Sequence, residues 1–343
     1  MIYSKLGNTD IDISRIGLGC MGMSEFYGTP NDKESEQVIL QAVNEGVNLL
    51  DTADIYGLGK NEELLGSIIS SNQLRNKIKI ATKCGIRRDP SDLNKRVVCN
   101  DYNYILEACE RSLNRLKVDS IDLFYLHRIV DEDEKMHESM EAMVRLLNEG
   151  LIKSVGLSEP SRLYIEKAND LLIKLSGGIH TISAVQSEYS LMTRTVEENG
   201  VLDLCKENNI SFIPYSPISR GLLGNKIKSK DMLDSDDFRR TLPRFSEENI
   251  EKNLDLTNKI SQIAASLNCS TAQLSLGWLL SRSNKVCPIP GTRKIAHLLD
   301  NVSSISLEIS KEELEDIDDL FNSFSPSGLR YSPQAMKAYK FSN

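Results

Sequence analysis

Short apolar runs recur along the chain and alternate with stretches of helical spacing. Eight runs have the length and flanking turn residues of strands: 16–20, 48–51, 78–83, 121–127, 152–157, 181–186, 210–215 and 286–290. Most are about 30 residues apart, the length of one strand, one helix and two loops. Two intervals are longer, and each calls for an insertion, at 84–100 and 216–249. Between the runs, Met136, Met140, Met143, Val144 and Leu147 follow the period of a helix with one buried face, and core packing accounts for the methionines. Gly150 stops that helix, and Ser310 followed by Glu312 and Glu313 starts a later one. The segment 1–14 alternates around Gly7-Asn8 and predicts a small hairpin. The tail 325–343 holds Pro326 and Pro333 with little periodicity and predicts an irregular segment lying over the rim. Eight βα units predict an α/β fold, a (β/α)8 TIM barrel with an N-terminal hairpin and two rim insertions. No composition break divides it, so residues 1–343 read as one domain.

Polar residues at the ends of these runs suggest the chemistry. Asp51, Lys83 and His127 each close an apolar run, and Tyr56 lies in the loop after the first of them. In a parallel barrel the strand ends share one rim, where the active site forms. Singly, each residue has an ordinary reading: a turn cap, a solvated lysine, a structural histidine. Together at consecutive strand ends they make a proton donor for a carbonyl oxygen: a tyrosine beside a lysine, with a carboxylate to fix the lysine and a histidine nearby.

Charge and composition remove several alternatives. The net charge of −8 argues against nucleic acid as the main partner, because phosphate binding needs a basic surface. No apolar run reaches the roughly 18 residues of a membrane span, and the first residues lack a signal-peptide pattern. The seven cysteines are scattered, with no Cys-x-x-Cys, and read as reduced thiols of a cytoplasmic protein. His137, His180 and His297 show no metal-ligand spacing, so no metal is expected. Oligomeric state is not legible.

At several motifs the chain resembles the aldo-keto reductase superfamily. They are Gly17-Leu18-Gly19, Asp51-Thr52-Ala53-Asp54-Ile55-Tyr56-Gly57, Asn61-Glu62-Glu63-Leu64-Leu65-Gly66, Lys83, His127-Arg128, Gly156-Leu157-Ser158, Gln186-Ser187-Glu188-Tyr189, Tyr215-Ser216-Pro217 and Pro290-Gly291-Thr292-Arg293. Their order and spacing carry the resemblance, from about Tyr3 to Leu320. Glu25-Phe26-Tyr27-Gly28 and Asp237-Phe238-Arg239-Arg240 further resemble the branch of auxin-induced-like, perakine and pyridoxal reductases.

The resemblance implies an extended NADPH/NADP+ held without a Rossmann fold. Gly17-x-Gly19-x-x-Gly22 has dinucleotide-fingerprint spacing but reads as a loop, not a helix start. In the family's scheme a carbonyl is reduced by hydride transfer. Tyr56 gives the proton, Lys83 lowers the tyrosine pKa, Asp51 keeps Lys83 charged, and His127 orients the carbonyl oxygen. Ser158 and Gln186 would bond the nicotinamide carboxamide, and Tyr215 would stack on its face. Met21 joins this site. Ser216, Pro217, Ile218 and Arg220 would line the pyrophosphate. Gly291, Thr292 and Arg293 would open the helix after the eighth strand and hold a phosphate. His297, Asp300 and Asn301 would meet the adenine. Met21, Phe26, Tyr27, Arg128 and Tyr189 are candidate walls for a small-molecule carbonyl substrate, and Trp278 reads as helix core. Two rivals remain: a Schiff-base aldolase using Lys83, and a redox-sensing auxiliary subunit of the same fold.

Overall fold

In the computed structural model, which describes residues 1–89 and 91–338, seven parallel strands stand side by side. They are β3 (Leu18–Gly19), β4 (Leu49–Asp51), β5 (Lys79–Cys84), β8 (Leu123–Leu126), β9 (Val155–Ser158), β10 (Ile182–Glu188) and β11 (Ser211–Tyr215), in that spatial order. The eighth run, 286–290, closes the barrel through separate hydrogen bonds. Cys287 and Ile289 donate to the carbonyls of Phe212 and Pro214, and Gly17 and Gly19 donate to those of Pro288 and Pro290. The two prolines have no N–H to return, so this edge has bridges and no regular ladder.

The barrel interior is filled by inward side chains of the strands, among them Leu49, Ala81, Leu123, Tyr125, Ala184, Ile213, Cys287 and Ile289. Tyr125 fits because position 156 is glycine: a Cβ there would stand 2.3 Å from the tyrosine ring. The N-terminal hairpin, β1 (Tyr3–Lys5) with β2 (Asp12–Ser14), plugs one end with Leu6 and Ile13. Gly7 takes φ +55 at its turn, and its N–H bonds Ser211 Oγ at 2.9 Å.

Helices sheathe the strands. They include α1 (Asp32–Asn44), α2 (Lys60–Ser71), α3 (Tyr102–Leu116), α4 (Asp133–Asn148) and α5 (Arg162–Leu175). The expected stripe of α4, from Met136 to Leu147, is buried, and Gly150 follows its end in the left-handed region. After β10 come α6 (Thr195–Glu198) and α7 (Val201–Glu207), and the C-terminal part adds α8 (Glu247–Ser266), α9 (Thr271–Ser281), α10 (Ile295–Ser303) and α11 (Lys311–Ser323). Ser310 caps α11 in a box with Glu313. Trp278 is wholly buried in α9 and donates to Asp318. Among the described residues, no helix is long and apolar enough to cross a membrane.

Both insertions fall on the rim. The first forms a hairpin, β6 (Ile86–Asp89) with β7 (Asp92–Val98). The second, before α8, is a loop of short 3₁₀ turns in which Ser216, Ser219 and Arg220 have φ of 49°, 48° and 56°. The tail lies over the rim as expected, with Tyr331 and Ala335 facing the central cavity, but it is not wholly irregular. It carries a short helix, α12 (Pro333–Ala338), and Arg330 ties it down with two hydrogen bonds to Glu159, at 3.0 and 2.9 Å. Residues 339–343 of the predicted irregular segment lie outside the described residues.

Candidate active site

Three neighbouring strands each deliver one polar group to the same rim. Asp51 ends β4, Lys83 is the penultimate residue of β5, and His127 follows β8 with its N–H on the Cys84 carbonyl. The buried Lys83 ammonium donates to Asp51 Oδ1 at 2.6 Å and to the Thr52 carbonyl at 2.7 Å. Gln186 donates to the other oxygen, Oδ2, at 2.8 Å. Both oxygens of the carboxylate are therefore held from the two sides of the barrel.

Tyr56 opens a left-handed turn after this strand, with Gly57, Leu58 and Gly59 all at positive φ. The second motif explains how the turn is fixed. Asn61 accepts from Thr52 Oγ1 at 2.6 Å and donates to the Cys20 carbonyl, while Glu62 takes hydrogen bonds from Thr82 and Arg115. Gly66 lets α2 lie against α3, since a Cβ would meet the Arg115 carbonyl at 2.1 Å. The result places the Tyr56 and His127 rings edge to face, 5.7 Å apart, with the Lys83 ammonium 5.2 Å from the Tyr56 ring centre.

The electrostatics follow from burial and charge. Burial favours a neutral Lys83, but Asp51 and Tyr56 outweigh it and hold the pKa above that of a free lysine. Burial raises the Tyr56 pKa, and the opposing pull of Lys83 does not overcome it. Lys83 lowers the phenol's pKa, as expected, but burial, and to a lesser degree Asp51, act the other way and leave it above the ordinary value. His127 is driven well below an ordinary histidine by burial first, then by Arg128, Lys83 and Arg96. Its imidazole is neutral at pH 7 and carries one N–H to donate.

A cavity of about 540 Å³ opens over these groups. It gathers Met21, Asp51, Tyr56, His127, Ser158, Gln186, Tyr215, Ser216, Pro217, Ile218, Arg220, Gly291, Thr292 and Arg293 from the predicted set. Lys83 stands behind it. His297, Asp300 and Asn301 do not reach it. They lie on α10, where His297 is 3.1 Å from Lys226, Asp300 accepts from Ser270, and Asn301 is buried. That helix starts at Ile295, not at Gly291, because Thr292 Oγ1 takes the Lys294 N–H and turns the chain first. Of the candidate substrate walls, Met21, Phe26, Tyr27 and Arg128 line the cavity. Tyr189 does not: it is core, packed on Phe212 and Trp278.

Sequence reasoning missed Tyr331, Arg88 and Arg96, which also line the cavity. Tyr331 accepts from Arg220 at 2.6 Å and lies 3.3 Å from the Tyr215 hydroxyl. Arg293 donates to the carbonyls of Tyr27 and Thr29, drawing that loop over the rim.

The family model for the aldo/keto reductase family matches residues 15–322. The aldo-keto reductase yakc [NADP(+)] of Schizosaccharomyces pombe is 36% identical over 96% of this chain and 94% of its own length. Among solved structures, the glycerol dehydrogenase AKR11B4 from Gluconobacter oxydans superposes with a TM-score of 0.82 at 26% identity, covering 95% of this chain and 97% of that one. The thermostable aldo-keto reductase Tm1743, solved with the inhibitor epalrestat, gives 0.70 at 28% identity, over 93% and 100%. On the matched family model and this degree of identity over nearly the whole length, the chain belongs to the aldo/keto reductase family.

Proposed function

We propose that the protein reduces aldehydes or ketones to alcohols with NADPH, and that Tyr56 is the proton donor. The observation carrying this is the pairing of Tyr56 with His127 at the cavity while Lys83, buried behind its wall, is paired with Asp51 in the lining. The donor set also suits the coenzyme. The lining holds Arg220 and Arg293, both bonded to Tyr27, together with the Ser216 and Thr292 hydroxyls, which matches phosphate groups, and it also holds the flat Tyr215 ring, whose hydroxyl meets Tyr331 beside Arg220. Both guanidinium groups now bond protein oxygens, at Tyr331 and at Tyr27 and Thr29, and would share or exchange those partners.

When bound, NADPH supplies the hydride. This chain's part is to hold the carbonyl and manage the proton. The His127 N–H orients the carbonyl oxygen and stabilises charge that grows there. Tyr56, protonated at neutral pH, gives that oxygen its proton. The phenolate left behind faces the Lys83 ammonium, which stabilises it, and Asp51 with Gln186 keeps that ammonium in place.

Nearness to the auxin-induced-like, perakine and pyridoxal reductase branch is part of this reading. Its two sequence segments meet over the rim, with Phe26 and Phe238 rings 5.3 Å apart and the Phe238 N–H on the Phe26 carbonyl. The aldolase reading is disfavoured by Lys83 itself. A Schiff-base nucleophile is a neutral, accessible amine, and Lys83 is buried, charged and paired. The test is NADPH oxidation through many turnovers against a panel of aldehydes and ketones. Oxidation dependent on the carbonyl is expected; none with any member, or substrate trapped on Lys83 by borohydride, would sink the proposal.

A further inference from the structure

Among the described residues, the cavity is lined by five arginines, Arg88, Arg96, Arg128, Arg220 and Arg293, against two carboxylates, Glu25 and Asp51. Both carboxylates are already matched. Asp51 is gripped by Lys83 and Gln186, and Glu25 is 2.8 Å from Arg88. Two of the arginines, Arg220 and Arg293, are those assigned above to the coenzyme phosphates. Arg96 and Arg128 act on His127.

Their placement is that of a receptor for negative charge. Arg128 follows the histidine directly, and its NH1 is fixed by the His127 carbonyl at 2.5 Å and Ser158 Oγ at 3.2 Å. Arg96 comes from the rim hairpin β6–β7, is exposed at the cavity mouth, and packs 5.8 Å from the Phe26 ring centre. Both are close enough to make protonation of His127 unfavourable. Glu159 and Glu188, behind the lining, offset part of the charge of Arg128 and Arg220; the like charges that remain repel one another, and an anion arriving between Arg96 and Arg128 relieves that repulsion. A cleft lined by one sign of charge also concentrates the opposite ion from solution. Guanidinium groups suit planar carboxylates and phosphates, which they hold through paired hydrogen bonds.

We infer that the preferred carbonyl substrates carry an anionic group, a carboxylate or a phosphate, which Arg96 and Arg128 hold at the cavity mouth on the His127 side. This rests on the reductase reading above and narrows its substrate class. Arg96 is a specificity residue here, since it lies on the rim hairpin and not with Tyr56 and Lys83.

The experiment compares matched pairs with NADPH: 4-oxobutanoate against butanal, and glyceraldehyde 3-phosphate against glyceraldehyde. In wild type the anionic member of at least one pair should have the higher kcat/KM, by on the order of 10-fold or more, and added salt should shrink that ratio. The pair showing the preference identifies the anion as carboxylate or phosphate. Arg96→Gln should collapse the ratio toward one, and Arg96→Lys should keep part of it. A purely structural role for Arg96 would lower both members of a pair alike and leave the ratio intact, which overturns the inference. So does a wild-type ratio near one in both pairs. Calorimetric titration with 4-hydroxybutanoate against butane-1,4-diol reads the same discrimination without turnover, and equal binding would overturn it. No turnover with any of the four carbonyls would defeat the reductase reading itself, whereas good turnover without preference defeats only the anion site.

Discussion

The Lys83 ammonium is 2.6 Å from Asp51 Oδ1 and has no exposure to solvent. A buried charge is tolerated only when paired and hydrogen-bonded. Here the pairing is complete on both sides, because Gln186 takes the second carboxylate oxygen. The ion pair thus supplies a fixed positive charge next to Tyr56, while burial keeps the Tyr56 proton in place until a partner develops charge.

Lys83→Met removes that fixed charge. Without it the phenolate left after proton transfer has no counter-ion, so turnover should fall by on the order of 10²-fold or more. Asp51 would then be a buried, unpaired carboxylate, and some stability should go too. The double change with Tyr56→Phe should be little worse than either single change, because the two residues act as a unit. Steady-state kinetics on the three variants decide it: losses that simply multiply would show that Lys83 and Tyr56 act independently.

Asp54 gives a pH prediction. Burial, and then the charge of Glu62, push its carboxyl up to about 8, and its Oδ1 is closed off from solvent with no hydrogen-bond partner among the described residues. An unfolded aspartate titrates near 4. Between about pH 4 and 8 the folded protein therefore holds a proton that the unfolded chain releases. Stability from this group is present below the lower value and is lost as pH rises toward the upper one. Asp54→Asn stays neutral throughout and should gain on wild type as pH rises from 5 to 8, by at most about 1.4 kcal/mol per pH unit. Urea unfolding of both proteins across that range checks the sign. A difference that stays flat or falls with pH contradicts it.

Arg293→Ala tests coenzyme choice. If its guanidinium holds the extra phosphate of NADPH, losing it should cost roughly 1.5–3 kcal/mol, the worth of hydrogen bonds to charged groups. That is a weakening of about 10- to 150-fold for NADPH, with the NADH Kd changing far less. Because Arg293 also holds the Tyr27 and Thr29 carbonyls, some loss common to both coenzymes is expected. The ratio of the two Kd values, from fluorescence titration, is the decisive quantity, and an unchanged ratio removes Arg293 from coenzyme selection.

The barrel and its polar rim were legible because each depends on a local pattern. Strands carry apolar runs, and Asp51, Lys83 and His127 fall where those runs stop. What the sequence hid depends on contacts between distant segments. The Arg330–Tyr331 pair carries no periodicity, and its partners Glu159 and Arg220 lie 171 and 111 residues away. Tyr189 follows a strand whose end faces the rim, yet its ring turns into the core against Phe212 and Trp278. The net direction of the Tyr56 pKa is hidden for a similar reason: the lowering pull of Lys83 is readable from the motif, but the burial that outweighs it is a property of the fold. The closing run 286–290 was readable as a strand, but its prolines break the ladder that would define one.

Tyr56→Phe is the most direct test of the central claim, that Tyr56 donates the proton in carbonyl reduction. The change keeps the ring that packs against His127 and removes only the hydroxyl. Steady-state NADPH oxidation with a good carbonyl substrate, measured beside the coenzyme Kd, should show kcat reduced on the order of 10²–10⁴-fold with the Kd nearly unchanged. A variant that turns over within a few-fold of wild type would show that the proton comes from elsewhere.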